Sequence, residues 1–295
     1  MQKNTNTHKF TQNKIFDKII LLFNKIKISD NQCNQCYQRS KNAIEATKGE
    51  VLMYKNDICD TRFSKCCGGK TELFSSCWAD RDFDYLSAKN DISLSHTSCL
   101  TWKFPPFKWI KGGYFGEVKG GLTQEKNAEK FILSSPKCFC NTNRKKIINQ
   151  VLKDFDKKTN DFFRWKVKYS NAELSELLHE KSGIDFGKIV DLIPLKRGES
   201  GRITLLKIEG TKCTLNVGKE LEIRRWLSKS HLYSSAFVVK KNKKGDFTLH
   251  GAGWGHGVGL CQIGAAVMSA KGYDYREILA HYFNGAEIVP TNKVC

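Results

Sequence analysis

LHGAGWGHGVGLCQIGAAVMSAKGYDYREILAHYFNGAEI, residues 249–288, carries the strongest local signals in the chain. Glycine occupies every second position from Gly251 to Gly259, and Trp254 and His256 lie between glycines. Glycine inside a strand loses packing and costs backbone entropy, so such a run is kept where the backbone turns sharply or approaches a ligand closely. The pattern therefore predicts a binding loop and not a core strand.

Two short helices are predicted directly after the glycine run. Apolar residues recur at helical spacing in the first, which Gly272 ends. The second has its own apolar face and ends at Asn284-Gly285, a pair suited to a left-handed cap. The residues that define the two faces are Leu260, Ile263, Val267 and Met268, then Tyr275, Ile278, Leu279, Tyr282 and Phe283.

Two other interpretations of the glycine run were compared with a carbohydrate or catalytic site. A phosphate cradle is excluded by spacing, because the glycines alternate without G-x-G-x-x-G and no Gly-Lys-Ser/Thr follows. The second interpretation treats His256 and Trp254 as structural residues of a tight turn. That alternative stays open on the sequence alone.

Composition bounds the class of protein. A chain of 295 residues can bury a substantial core without staples, and its net charge of +19 implies an acidic partner. Most basic residues are lysines scattered among Asn and Ile, and no nucleic-acid-binding signature is present, so no nucleic acid partner is predicted. Charged residues interrupt the apolar segment Ile15–Ile28, so it predicts neither a transmembrane segment nor a clear signal peptide.

The spacing of the twelve cysteines does not predict a metal site. Cys33-x-x-Cys36 and Cys138-x-Cys140 are too far apart for a zinc ribbon, so no cofactor is expected, with zinc as the alternative. Four more cysteines crowd one segment, where a buried thiol cluster or one disulfide is favoured over a metal. These are Cys59, Cys66, Cys67 and Cys77.

The remaining pattern mixes strands and short helices without regular alternation, which predicts an α+β fold. A hairpin is expected from Val51–Tyr54 and Ile58–Phe63 with a turn at Asn56-Asp57, and residues 91–160 resemble an insertion. A helix is expected over Ala172–His179, with Ser170 or Asn171 as its N-cap and Gly183 closing it. The other predicted elements are Ile147–Phe155 and Leu221–Leu227 as helices, and Phe162–Tyr169, Ile189–Leu195, Gly201–Ile208, Cys213–Val217 and Phe237–Val239 as strands.

Four motifs between about Asn42 and Ile288 make this chain resemble the stage II sporulation protein D family, which includes the LytB amidase enhancers. They are Ala43-Ile44-Glu45-Ala46-Thr47-Lys48-Gly49, the segment Ser64–Thr71 ending in Gly-Gly-x-Thr, Ser200-Gly201-Arg202, and GWGHGVGLCQIGA over residues 253–265. The resemblance implies one domain over residues 30–290, preceded by an atypical basic segment at 1–29. It also implies an extracytoplasmic or cell-envelope location.

The resemblance further implies a peptidoglycan-acting lytic transglycosylase. Such enzymes cleave between N-acetylmuramic acid and N-acetylglucosamine in peptide-stripped glycan strands and leave a 1,6-anhydro end. One carboxylic acid protonates the glycosidic oxygen, and its carboxylate then deprotonates the muramyl 6-hydroxyl, which attacks the anomeric carbon. The stripped strands keep lactyl carboxylates, which suit a basic protein.

The chain departs from the family at its catalytic acid. In relatives that Glu lies in an N-terminal Glu-x-Pro segment, which nothing in residues 1–29 matches. Two explanations fit. Either the first 29 or so residues replace the true beginning of a truncated or frameshifted chain, or the chain is a relative that binds glycan without cutting it. In both cases weak or no transglycosylase activity is expected. Some members bind zinc through an Asp-x-x-His-Cys-Gln stretch. Here Gln32 stands where the His belongs, and Cys33 is the candidate ligand.

The implied site is a glycan-binding groove between the Gly68-Gly69 loop and the loop Trp254–Gln262. Trp254 would stack on a sugar ring, and His256 and Gln262 would hydrogen-bond hydroxyl or acetamido groups. The residues of the opposite wall would also hydrogen-bond these groups. That wall comprises Ser64, Gly68, Gly69 and Thr71. Glu45 and Glu72 are the alternative candidates for the catalytic acid. The simpler interpretation is a helix-end charge for Glu45 and a solvated loop charge for Glu72.

Two other classes of function compete with a transglycosylase. One is a non-catalytic wall-binding protein that stimulates a cell-wall amidase, which would then be its partner. The other is a basic nucleic-acid binder, which would show a steep salt dependence on DNA.

Overall fold

The computed structural model describes residues 38, 41–92, 120–152 and 161–293, and it confirms the predicted α+β class. In the described ranges the strands are β1 Glu50–Tyr54, β2 Asp57–Ile58, β3 Phe63–Ser64, β4 Arg164–Tyr169, β5 Ile189–Arg197, β6 Ile203–Gly210, β7 Thr214–Val217, β8 Phe237–Lys241, β9 Phe247–Ala252, β10 Leu260–Cys261 and β11 Glu287–Pro290. The helices are α1 Glu125–Leu133, α2 Lys145–Val151, α3 Asn171–Ser182, α4 Glu220–Trp226, α5 Gln262–Ala270 and α6 Tyr275–Tyr282. Residues 41–46 are also helical.

The strands form small sheets that join distant parts of the chain. Three are antiparallel, with the orders β11-β1-β2, β4-β9-β8 and β5-β6-β7. The fourth pairs β10 with β3 in parallel, which sets Leu260 opposite Phe63 and Cys261 opposite Ser64. This last pairing brings the end of the glycine run beside the strand that leads into the Gly68-Gly69 loop.

Two main apolar cores flank this junction. One packs β1, α2, α5 and α6 around residues that include Leu86, Val258 and Phe283. The other packs α3 and α4 against the sheets of β4 to β9, around residues that include Phe186 and Phe237. A smaller cluster, with Phe131 and Ile132 of α1, covers the β8-β9 side. The glycine-rich segments therefore lie between two packed apolar cores.

The capping signals predicted for α3 are confirmed, whereas α6 ends at Tyr282 with Phe283 as its C-cap, before the predicted Asn284-Gly285. Ser170 is the N-cap of α3 and forms a capping box with Glu173, and Gly183 ends the helix with a φ of 74°. Asp274 and Glu277 form a second capping box at the start of α6. These side chains satisfy backbone N–H groups that have no partner within the helix, which is why short helices hold at these positions.

Two local predictions are wrong in detail. The expected strand Ile58–Phe63 is only two short pieces, β2 and β3, and the hairpin turn lies one residue early, at Lys55 and Asn56 with φ values of 47° and 69°. Gly251, read as the first loop glycine, belongs to β9. It is glycine because the indole of Trp165 on β4 would lie 2.1 Å from its Cβ.

Several sequence features lie outside the described residues. They include the 1–29 segment, Cys33 and Cys36, and parts of the stretch 91–160 that resembles an insertion. Within the described residues no helix has both the length and the apolar character that crossing a bilayer requires.

Candidate functional site

The alternating glycines form an irregular loop after β9, as the sequence predicted. Gly253, Gly255, Gly257 and Gly259 have φ values of 76°, 99°, 81° and 70°, which is the left-handed region that other residues avoid. Four such turns at alternate positions prevent a regular strand. They leave Trp254 and His256 half-buried on the loop.

The two glycine-rich segments touch each other. Trp254 N donates to Cys66 O at 2.7 Å, Cys66 N donates back to Trp254 O at 3.0 Å, and a second bridge joins Glu72 to Val258. A Cβ on Gly68 would lie 2.9 Å from the backbone N of Gly253. The groove expected between the two loops is therefore closed at this point, because their backbones are in contact. A glycan would have to lie across the paired segments.

Arg202 explains the Ser-Gly-Arg motif. Its side chain is fully buried, and its guanidinium donates to the carbonyl oxygens of Cys67 at 3.2 Å and Gly255 at 3.1 Å. It also donates to Ser200 Oγ at 2.8 Å. One planar group with several N–H donors thus satisfies carbonyls from both glycine-rich segments. Arg202 clamps the two segments together.

Glu72 is fully buried and accepts hydrogen bonds from five donors. They are the backbone N of Leu73 at 2.8 Å, Ser76 Oγ at 3.1 Å, the backbone N of Glu199 at 3.0 Å, and the backbone N and Oγ of Ser200 at 3.0 and 2.6 Å. This is not the solvated loop charge that its position in a polar loop suggested. The carboxylate anchors the loop before β6 to the segment that follows Thr71.

The other residues of the expected opposite wall are also turned inward. Thr71 Oγ1 accepts from Lys89 N at 2.8 Å, and Gly69 O accepts from Asp91 N at 3.0 Å. Ser64 is buried, and its Oγ has no hydrogen-bond partner among the described residues. These groups hold the loop in place, and their polar atoms are not presented at the surface.

His256 is held as a neutral ring. Its Nδ1 accepts from Val258 N at 3.1 Å, which assigns the proton of the neutral imidazole to Nε2. The pKa of His256 is lowered to about 3, chiefly by burial and also by the positive charges of Arg202, Arg224 and Arg62. At neutral pH this residue carries no charge, and it is already hydrogen-bonded to the backbone of Phe63.

Two half-buried tryptophans, Trp78 and Trp254, each have a cation over the ring. Lys65 Nζ lies 4.1 Å from the ring centroid of Trp254, and the Arg62 guanidinium carbon lies 4.1 Å from that of Trp78. The Trp78 and His256 ring centroids are 4.8 Å apart. We call these five residues the tryptophan surface.

Sequence reasoning found Trp254 and His256 but missed Trp78, Arg62 and Lys65. These three flank the Gly68-Gly69 motif without any spacing pattern of their own. Their role depends on which ring each cation covers, and only the folded chain determines that.

The two remaining candidates lie on helices. Gln262 is the half-buried first residue of α5. Glu45 is exposed near the end of the helical segment 41–46, with its carboxylate 3.9 Å from Lys41 Nζ. This arrangement matches the helix-end charge that the sequence suggested for Glu45.

A further buried acid, Glu220, was not found from the sequence. It begins α4, is fully buried, and lies 3.5 Å from Arg224 Nη1. Burial raises the pKa of Glu220, and the charges of Arg224 and Arg202 oppose that rise. In the sequence, Glu220 is an acidic residue at the start of a helix, two residues before Glu222. That pattern is too common to indicate a functional residue.

The thiols that are described are all free, so no disulfide forms among them. Cys67, Cys140 and Cys261 lie together with Asp91, whereas Cys59 and Cys77 do not belong to this group. Burial raises the pKa of the Cys67 and Cys140 thiols well above the usual range. For Cys261 burial acts in the same direction, but hydrogen bonds from neighbouring thiols and from Cys67 N outweigh it and lower its pKa.

Comparison with known proteins supports a SpoIID/LytB-like family for this chain. The chain is 25% identical over 261 residues to the amidase enhancer of Bacillus subtilis, covering 83% of this chain and 32% of that protein. It is 25% identical over 252 residues to stage II sporulation protein D of the same species, covering 84% and 63%. The predicted family resemblance is confirmed.

The chain belongs to the family described as "Domain of unknown function (DUF8618)", whose model matches residues 72–259. It is also 27% identical over 252 residues to an uncharacterised protein of Brachyspira hyodysenteriae, covering 85% of this chain and 49% of that protein. The chain spans less than two thirds of the length of each of these three relatives.

Proposed function

We propose that this chain binds peptidoglycan glycan strands in the cell envelope and that the tryptophan surface is where they bind. The observation that carries the proposal is the pairing of each half-buried tryptophan with a cation at 4.1 Å, with the ring of the neutral His256 against Trp78. An aromatic ring offers an apolar face to the C–H side of a sugar ring. A cation beside it attracts a carboxylate, and Arg62 already shows this preference, since its Nε donates to the Asp60 carboxylate at 2.8 and 3.0 Å.

The substrate class follows from this combination. Peptide-stripped glycan strands alternate sugar rings with muramyl lactyl carboxylates, so they present both apolar ring faces and negative charge. The net charge of +19 favours such a polyanion over a neutral polysaccharide. Two relatives, the amidase enhancer and stage II sporulation protein D of Bacillus subtilis, support a role at the cell wall.

Binding is better supported than cutting. Transglycosylase chemistry needs one carboxyl group that reaches the glycosidic oxygen as an acid. Glu72 and Glu220 are both 0% exposed, and five donors already occupy Glu72. Glu45 is exposed, and its carboxylate lies 3.9 Å from Lys41 Nζ. Weak or no cleavage therefore stays the expectation.

The test uses the full chain and purified peptide-free glycan strands. We expect the protein to co-sediment with the strands, and mass spectrometry to find no new ends lighter by one water. Trp254→Ala should weaken binding about tenfold, because an aromatic contact contributes about 1–1.5 kcal/mol. Anhydro ends formed by the pure protein would instead establish a transglycosylase.

Tyr275→Ala is the matched control. Tyr275 is also half-buried and also stacks with a cation, since the Arg276 guanidinium carbon lies 4.5 Å from its ring centroid, but it sits on α6 beside Glu50. We expect this variant to bind glycan like the original chain. Equal losses in both variants would contradict a site at Trp254.

A second candidate function is stimulation of a cell-wall amidase without cleavage of glycan. It is favoured by the match of 83% of this chain to a protein named amidase enhancer. Adding an amidase to the glycan assay with intact peptidoglycan separates the two: faster peptide release without new glycan ends supports the enhancer. Preferential binding to DNA, with a steep salt dependence, would contradict both.

A further inference from the structure

A cluster of thiols lies beneath the glycine-rich segments and is not used by the proposed glycan site. Three separate segments supply it: Cys66 and Cys67 after β3, Cys138 and Cys140 between α1 and α2, and Cys261 at the end of β10. We propose that Cys67, Cys140 and Cys261, with the carboxylate of Asp91 as the fourth ligand, bind one zinc ion.

The spacing of the donor atoms fits a single ion. One ligand atom from each of the four residues lies within 4.8 Å of the other three. Cys67 Sγ and Cys140 Sγ are 3.6 Å apart. Zinc–sulfur bonds of about 2.3 Å in a tetrahedron place two sulfurs about 3.8 Å apart, close to this value, whereas a disulfide needs about 2.05 Å.

The choice of ion follows from the donors. Thiolates are soft ligands and select zinc or other thiophilic metals over calcium and magnesium, which prefer oxygen. All four residues are buried, so the site is closed, as in structural zinc centres. An ion here stabilises the fold by tying three chain segments together, and it is not placed to act on a substrate.

Asp91 is already oriented as a ligand would be. Its carboxylate accepts from Tyr282 Oη at 2.6 Å and from Cys140 N at 2.9 Å, and its side chain is fully buried. Ligating carboxylates are commonly held by such outer hydrogen bonds. These bonds fix the direction of the carboxylate towards the thiols.

His281 supplies an independent observation. It is 4% exposed, its Nε2 has no hydrogen-bond partner among the described residues, and that atom lies 4.0 Å from Asp91 Oδ1. An orphaned buried nitrogen is costly unless something nearby completes its environment. The orphaned nitrogen lies beside the same carboxylate that would bind the ion, so the cluster contains a polar group whose environment is incomplete without a ligand.

The charge of the loaded site has a local counterpart. Three thiolates and one carboxylate around a divalent ion leave a net charge of about −2, and three thiol protons are released on binding. The guanidinium of Arg164 donates to Gly68 O at 3.0 Å, next to Cys67 in the chain, and so places a positive charge beside the cluster.

The experiment measures zinc in the purified full chain by elemental analysis, and the absorption spectrum after replacement by cobalt. We expect about one ion per chain and the strong visible bands of tetrahedral cobalt with thiolate ligands. Cys261→Ser should lose the metal. A wild-type chain that takes up no zinc or cobalt after reduction and reconstitution would overturn the proposal, as would a disulfide within the cluster.

Matched variants locate the site. Cys59→Ser removes a buried thiol outside the cluster, and Cys33→Ser removes the ligand that the sequence suggested; both should keep the metal. Retention in Cys261→Ser together with loss in Cys33→Ser would overturn the assignment. Asp91→Asn should weaken binding and change the cobalt spectrum, and an unaltered spectrum would rule out the carboxylate as ligand. If Cys261→Ser fails to fold, the wild-type cobalt spectrum alone decides.

Discussion

Gly68 and Gly253 exclude side chains from each other's position: a Cβ on either would lie 2.9 Å from the backbone N of the other. Their φ values, 81° and 76°, are both in the left-handed region. The two glycines come from segments that are remote in sequence, yet they form one contact. Trp254 directly follows Gly253, so its position depends on this contact.

Gly68→Ala should therefore lower the free energy of unfolding by about 3 kcal/mol, because it adds a backbone clash to the cost of a left-handed alanine. Gly272→Ala is the control. Gly272 has a φ of 96° but nothing within 4 Å of its Cβ, so only the conformational cost of about 1 kcal/mol applies. Urea denaturation measures both, and equal losses would contradict the close contact.

Arg202→Lys should destabilise the chain by about 3 kcal/mol, since one ammonium group cannot satisfy the carbonyls of Cys67 and Gly255 and the hydroxyl of Ser200 together. Arg276→Lys provides the comparison. Its ion pair with Glu50, at 3.0 Å, involves an exposed Arg276, so this change should cost no more than about 0.5 kcal/mol. Similar midpoints for the two variants would argue against the clamp.

Glu72→Gln should lower stability by about 2–4 kcal/mol, because an amide nitrogen would then face donors that now meet a carboxylate. Glu45→Gln, at the exposed acid, should leave stability within about 0.5 kcal/mol of the original. Thermal unfolding tests both variants. If Glu72→Gln kept full stability and removed a measured glycan-cleaving activity, Glu72 would be catalytic and not structural.

Stability should fall as the pH is lowered from 7 to 5, with His256 as one cause. The pKa of His256 is about 3 in the folded chain and about 6.5 when unfolded, so the unfolded state binds the extra proton in this window. Linkage gives a loss of about 2 kcal/mol from this residue between pH 7 and pH 5.

His256→Gln should reduce that pH dependence, because it removes the group that protonates only on unfolding. Denaturant titrations at several pH values provide the measurement. An unchanged dependence in His256→Gln would mean that the ring is not held neutral.

Much of the local structure could be predicted because its causes are local. The left-handed glycines from Gly253 to Gly259, the caps at Ser170 and Gly183 and the end of α5 near Gly272 all depend on side chains within a few positions. The family resemblance rests on the same short motifs. The loop prediction was wrong for Gly251, because the side chain that requires a glycine there is Trp165 on another strand.

What the amino-acid sequence determined by itself is therefore the α+β class, the left-handed loop, the helix ends and the family. Only the tertiary structure decided that the two glycine-rich segments touch, that Glu72 is buried under five donors, and that Cys67, Cys140 and Cys261 converge on Asp91. The physical reason is the separation along the chain of the residues that make each contact. Caps and turns are satisfied within one turn of backbone, whereas Cys67 and Cys261 are 194 positions apart and meet only because the apolar cores pack β3 beside β10.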